Sequence, residues 1–132
     1  DSRKSRGLGD VYKRQSGAND VLNNHKKKFK TKIIYVPGVF EIPYAISKNL
    51  KKYDAFIALG CVIKGETPHF DFISKSSIDA IMKLSIESKK PIGNGILTCL
   101  NKDQAIERAD KSNKNKGKEA ANAAIELLIN DN

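Results

Sequence analysis

The amino-acid sequence predicts an α/β domain: a parallel sheet covered by helices on both faces. Three observations carry this. Apolar, β-branched runs alternate with segments of helical periodicity through residues 16–132. The run Asp54–Ile63 is apolar with little alternation, as expected of a strand covered on both sides. Two runs end abruptly in Gly, Pro and polar residues before a helical pattern begins, at Val36–Pro43 and Leu59–Phe72. Such strand-to-helix corners are where parallel sheets bind ligands, because strand ends converge there.

Taken in order, Ala18, Val21, Leu22, His25 and Phe29 recur at helical spacing, with Lys26, Lys27 and Lys28 on other faces. Lys32–Val36 reads as a short β-branched strand. Glu41–Lys52 reads as a helix with Ile42, Ala45, Ile46 and Leu50 on one stripe, Pro43 being tolerated in the first turn. The strand Asp54–Ile63 comes next, then a long helix over 69–88 with Phe70, Ile73, Ile81 and Leu84 inward. Pro91–Thr98 is the next strand, and Asn101 can cap a short helix through Arg108. Lys116–Ile129 closes the series as a helix burying Ala120, Ala121, Ala124, Leu127 and Leu128. The order is α-β-α-β-α-β-α-α. It opens on a helix where such a domain usually opens on a strand.

Residues 1–15 differ in residue usage from the remainder of the chain. Three of the four arginines, Arg3, Arg6 and Arg14, stand there, whereas 16–132 holds 18 Lys and the single Arg108. We read 1–15 as a non-native, adaptor-like segment replacing the first strand, and 16–132 as the domain. The alternative is an authentic basic arm.

Size and composition narrow the function classes. The 132 residues suffice for one domain with one modest core. No apolar run approaches the roughly 18 residues that span a bilayer, and the N-terminus has no apolar stretch of a secretory signal. Cys61 and Cys99 lie in apolar runs without metal-ligand spacing and read as reduced and buried, as in a cytoplasmic protein. The net charge of +9 is spread over several helical segments without interleaved aromatics. Solvated helix faces account for it better than nucleic acid does. Membrane association is not expected.

The motifs Val36–Pro43, Leu59–Phe72, Gly95–Thr98, Gln104–Ala109 and Asn115–Gly117 resemble, in order and near spacing, the 6,7-dimethyl-8-ribityllumazine synthase family, also called the riboflavin synthase beta chain family. The resemblance implies a three-layer αβα sandwich, flavodoxin-like, whose first central strand is missing or replaced here. It implies the penultimate step of riboflavin synthesis: 5-amino-6-(D-ribitylamino)uracil condenses with 3,4-dihydroxy-2-butanone 4-phosphate, with loss of phosphate and water. No metal or organic cofactor is implied. The implied partners are the small-molecule substrates and further copies of the chain: pentamers, in some members packed into icosahedral shells, with active sites between subunits.

By this resemblance His69 is the catalytic residue. An imidazole suits proton transfer near neutral pH; an isolated His there would more readily be a helix-start His bonded to backbone, and the Gly65-Glu66-Thr67-Pro68-His69 context turns the reading to catalysis. Glu66, Thr67 and Arg108 fall at the phosphate-binding positions. A guanidinium can grip two phosphate oxygens at once, and backbone N–H groups before a helix favour an anion. An Arg108 pairing with Glu107 or Asp103 is the plain alternative. Val39, Phe40 and Glu41, with Cys61, Val62 and Ile63, fall at the pyrimidine and ribityl positions, though Phe40, Val62 and Ile63 also suit ordinary packing. Asn94 stands where the family often has Phe, and Lys116 either assists the site or is a solvated lysine. His25 reads as structural or surface. The family's first strand ends in an Arg-Phe-Asn-type loop that nothing in 1–15 matches, Tyr12 being an aromatic with the wrong neighbours.

Without that strand, its neighbours are expected to lose ladder hydrogen bonds and expose apolar surface, leaving a poorly folding and weakly active chain. Two other readings compete with the enzyme: a catalytically impaired shell-forming or ligand-binding homologue, and a basic RNA-binding domain.

Overall fold

A computed structural model describes residues 15–64, 69–101, 103–104 and 115–130. The first helix, α1, spans 15–24. The apolar spacing continues to Phe29, but the chain bends at 25–27, so His25 and Phe29 lie past the helix with their rings 5.3 Å apart. Asn23 and Asn24 compete for backbone hydrogen bonds, and three consecutive lysines repel one another; both weaken a helix there.

The strand expected at Lys32–Val36 is not formed. The segment 28–36 has neither helix nor strand pairing, and Ile33, Ile34 and Tyr35 are 47%, 45% and 60% exposed. Composition confers strand propensity, yet a strand exists only by pairing, and here the described sheet offers this segment no partner. Val36 alone of this run packs against the core.

A 3-10 turn, Val39–Glu41, leads into α2, Ile42–Asn49, with Pro43 in the first turn where its missing N–H costs nothing. Ile42 and Ile46 are buried. Then come β1, Phe56–Ile63; α3, His69–Ser88; and β2, Ile92–Cys99. Lys89 ends α3 in the left-handed region at φ 58. Asn101 Oδ1 accepts the Gln104 N–H at 2.9 Å, and Gln104 Oε1 accepts the Leu100 N–H at 2.9 Å, the reciprocal pairing of a helix start. The rest of the expected Asn101–Arg108 helix lies outside the described residues except 103–104.

The last helix, α4, spans Lys116–Asn130. Asn115 caps it, its Oδ1 accepting the Lys118 N–H at 3.0 Å. Its buried stripe is Gly117, Ala120, Ala121, Ala124 and Ile125. Leu127, expected inward, is 55% exposed because it falls off this i, i+3, i+4 arc.

β1 and β2 pair in parallel with Phe56 opposite Ile92 and Ile63 opposite Cys99. The Phe56 N–H donates to Pro91 O and the Lys64 N–H to Cys99 O. The even-numbered residues of β1 therefore form the ladder with β2, and odd-numbered ones turn their backbone groups the other way. One face of the sheet carries Ala58 and Ile96, packed with Ile42, Ile46 and Ile81 from α2 and α3. The other face receives α4: a Cβ on Gly93 would lie 2.0 Å from Ala120 O, and one on Gly95 3.3 Å from Ala120 Cβ. Leu97 and Cys99 form a second small cluster with Cys61, which is half-buried rather than buried. Gly17 of α1 sits against the Asn115 side chain, joining the starts of α1 and α4. Among the described residues no helix is long and apolar enough to cross a membrane.

Candidate active site

Strand direction decides where a site can form. β1 and β2 run the same way, so Cys61–Ile63 and the segment after Cys99 finish at one end of the sheet. The turn Val39–Glu41 is brought to that end. Gly60 makes this possible, since a Cβ there would stand 2.7 Å from Val39 Cγ2 and 3.4 Å from Ile42 Cδ1. The absent side chain lets the turn lie directly on β1. Within the turn the Glu41 N–H donates to Gly38 O at 3.2 Å.

The result is an open cleft of about 350 Å³ lined by Gly38, Val39, Phe40, Glu41, Cys61, Val62, Ile63 and Ile73. Six of these, Val39, Phe40, Glu41, Cys61, Val62 and Ile63, are residues that the family resemblance assigns to pyrimidine and ribityl binding. Gly38 and Ile73 are additional. Ile73 carried a readable signal, lying one helical turn after His69 on α3. Chemically the cleft is an apolar slot with a single ionisable carboxylate, Glu41. Phe40 and Ile63 remain 62% and 43% exposed at its rim. Such walls suit a flat ring, and a carboxylate accepts bonds from N–H or hydroxyl groups.

A second hollow, of about 400 Å³, lies along Asp79, Met82, Lys83, Ile86 and Glu87. It belongs to one side of α3 alone, with no strand end beside it, so it lacks the convergence of elements that a reaction site needs.

The other expected residues divide into three groups. His69 begins α3, one turn before Ile73 at the cleft, its described part being the backbone. Glu66, Thr67 and Arg108 lie outside the described residues. Lys116 and Asn94 do not line the cleft. Lys116 Nζ lies 3.3 Å from Glu119 Oε2, one turn along α4. Asn94 is exposed on β2, and its Oδ1 accepts the Ile96 N–H at 3.0 Å. Four residues separate it from Thr98, roughly 13 Å along the strand. No group of three or more metal-ligating side chains occurs among the described residues.

Known proteins give this geometry a context. The sequence profile of 6,7-dimethyl-8-ribityllumazine synthase matches residues 11–130. The chain belongs to this family. It is 44% identical over 124 residues to the 6,7-dimethyl-8-ribityllumazine synthase of Aliarcobacter butzleri, covering 92% of this chain and 74% of the relative. Against the enzyme of the same name from Bartonella tribocorum, identity is 46% over 115 residues, covering 85% and 75%. Against that from Clostridium kluyveri it is 46% over 121 residues, covering 89% and 78%. The lumazine synthase match begins at residue 11, so it does not coincide with the change of residue usage at Gln15.

Proposed function

We propose that this lumazine synthase family member condenses 5-amino-6-(D-ribitylamino)uracil with 3,4-dihydroxy-2-butanone 4-phosphate to give 6,7-dimethyl-8-ribityllumazine. The observation that carries the reading is the meeting of Val39–Glu41 and Cys61–Ile63 in one cleft beside the start of α3. The pyrimidine ring lies between the Phe40 and Ile63 walls, with backbone groups of the strand end on its edge and Glu41 accepting from the ribityl hydroxyls. His69 moves protons during imine formation and phosphate departure. Arg108 holds the phosphate, helped by backbone groups at Glu66 and Thr67. No metal or organic cofactor takes part.

The same reading extends the described α/β core to a three-layer, flavodoxin-like domain of a cytoplasmic homopentamer. The exposed place of Asn94, distant from the cleft of its own subunit, supports active sites shared between subunits, with Asn94 offered to a neighbour's cleft. Residues 1–15 are read as non-native, and the exposed run 31–35, outside the sheet, supports low turnover of the chain as it stands.

The test is lumazine formation from the two substrates by the purified chain. His69→Ala is expected to lower turnover by about 10²-fold or more. Arg108→Lys is expected to raise KM for the phosphorylated substrate by about 10-fold. Full turnover in His69→Ala would refute the assignment.

A further inference from the structure

Side chains of β1 alternate with the pleat, so Ala58, Gly60 and Val62 share one face of the strand. Ala58 is packed in the core, and Val62 lines the cleft. Gly60 stands between them. Its backbone does not call for glycine, since its φ is not positive. The requirement is space. A Cβ there would lie 2.7 Å from Val39 Cγ2, 3.4 Å from Ile42 Cδ1 and 3.9 Å from Ile96 Cγ1. Val39 thus occupies the place of the side chain that Gly60 lacks, and it also packs against the core cluster of Ile42, Ile46 and Ala58.

The crowded neighbours would yield differently. Ile42 Cδ1 ends a side chain that can rotate. Val39 is β-branched and stiff at χ1, so its Cγ2 moves chiefly with the backbone that carries it. That backbone is the turn Val39–Glu41, closed by the Glu41 N–H on Gly38 O at 3.2 Å. The turn runs without a break into α2, whose Ile42 and Ile46 are buried. A push at Val39 is therefore passed to Phe40 and Glu41, which line the cleft with Cys61–Ile63.

We propose that Gly60 is a positioning residue for the pyrimidine substrate. It is not among the residues lining the cleft. Acting through Val39, it sets the spacing between the Phe40–Glu41 wall and the strand end, and so the width of the slot for one flat ring. The inference rests on the reading of this cleft as the pyrimidine and ribityl site. Glu66, Thr67 and Arg108 belong to other segments of the chain, so the effect falls on one of the two substrates.

Calorimetric titration with 6,7-dimethyl-8-ribityllumazine, which keeps the pyrimidine ring and the ribityl chain, probes the slot without turnover. Gly60→Ala should weaken binding by about 10-fold or more. Val39→Ala also weakens it, by leaving a hole behind the wall. The double variant Gly60→Ala with Val39→Ala should nevertheless bind several-fold more tightly than Gly60→Ala alone, because the new methyl fills the space that Cγ2 vacates. Amide chemical shifts of Phe40 and Glu41 should move in Gly60→Ala and return in the double variant. Gly93→Ala overpacks the opposite face of the sheet and should leave binding unchanged well below its unfolding temperature. In turnover, Gly60→Ala should raise KM for the pyrimidine and keep KM for the phosphorylated substrate within about two-fold. Unweakened binding by Gly60→Ala would overturn the proposal, as would further weakening in the double variant or a like loss in Gly93→Ala. Loss of folding in Gly60→Ala that Val39→Ala does not rescue would make Gly60 purely structural and overturn it too. If the unsubstituted chain binds no lumazine, the reading of the cleft fails and the proposal falls with it; normal binding that Gly60→Ala leaves untouched sinks the proposal alone.

Discussion

Gly93→Ala is the sharpest test of how the sheet is covered. A Cβ at Gly93 would stand 2.0 Å from Ala120 O, 2.8 Å from Ala120 C and 3.2 Å from its Cα. All three are backbone atoms of α4, so no side-chain rotation relieves the overlap. To restore ordinary contact, α4 must retreat by more than about 1 Å. Ala120, Ala121, Ala124 and Ile125, all buried, would move with it. A gap of that size forfeits a quarter to a half of the dispersion attraction of each contact. Overpacking of this kind costs about 3 kcal/mol. At about 3–5 °C per kcal/mol for a domain of this size, Tm should fall by about 10 °C or more. Thermal unfolding followed by circular dichroism measures it. Gly38→Ala is the matched control: its backbone is extended at φ −163, and the nearest atom, Glu41 Oε2, is 3.4 Å away. It should leave Tm within about 2 °C. If Gly93→Ala unfolds at the unsubstituted temperature, α4 does not rest on β2 at this point.

Two further substitutions probe polar groups in the packing. Lys90→Met keeps the aliphatic stem but strips the Leu50 and Tyr53 carbonyls of their donor; the urea midpoint should drop by the equivalent of about 1–2 kcal/mol, and an unchanged midpoint would contradict the contact. Ser77 is 1% exposed, and its Oγ has no hydrogen-bond partner among the described residues. Ser77→Ala should leave stability unchanged or raise it by about 1 kcal/mol, whereas a clear loss in calorimetry would mean the hydroxyl is bonded after all.

Elements whose pattern rests on their own residues were legible. The stripe of α2 and the unbroken apolar run of β1 predict what forms, because burial on one stripe or on both faces leaves a periodic mark. The corner after β1 was legible for a related reason: the abrupt loss of apolar residues marks the strand's end, and the residues around the cleft beside it were assigned by family resemblance. What failed depended on partners. Lys32–Val36 has strand residues but no strand beside it. Leu127 has a core residue's chemistry at an angle that α4 turns to solvent.

These failures share a cause that also locates the stability. The odd-numbered residues of β1 direct backbone groups away from β2, and among the described residues no strand pairs with that edge. A two-stranded sheet is marginal on ladder hydrogen bonds alone. Here it is held through its faces, by Ile42, Ile46 and Ile81 on one and by the alanines of α4 on the other. Face contacts depend on close approach at a few small residues, so substitutions at Gly93 or Gly95 should weaken the fold more than polar changes along the exposed run 31–35. The cleft inherits that dependence. Its floor is the strand end at Cys61–Ile63, and its wall is a turn seated only because Gly60 has no side chain.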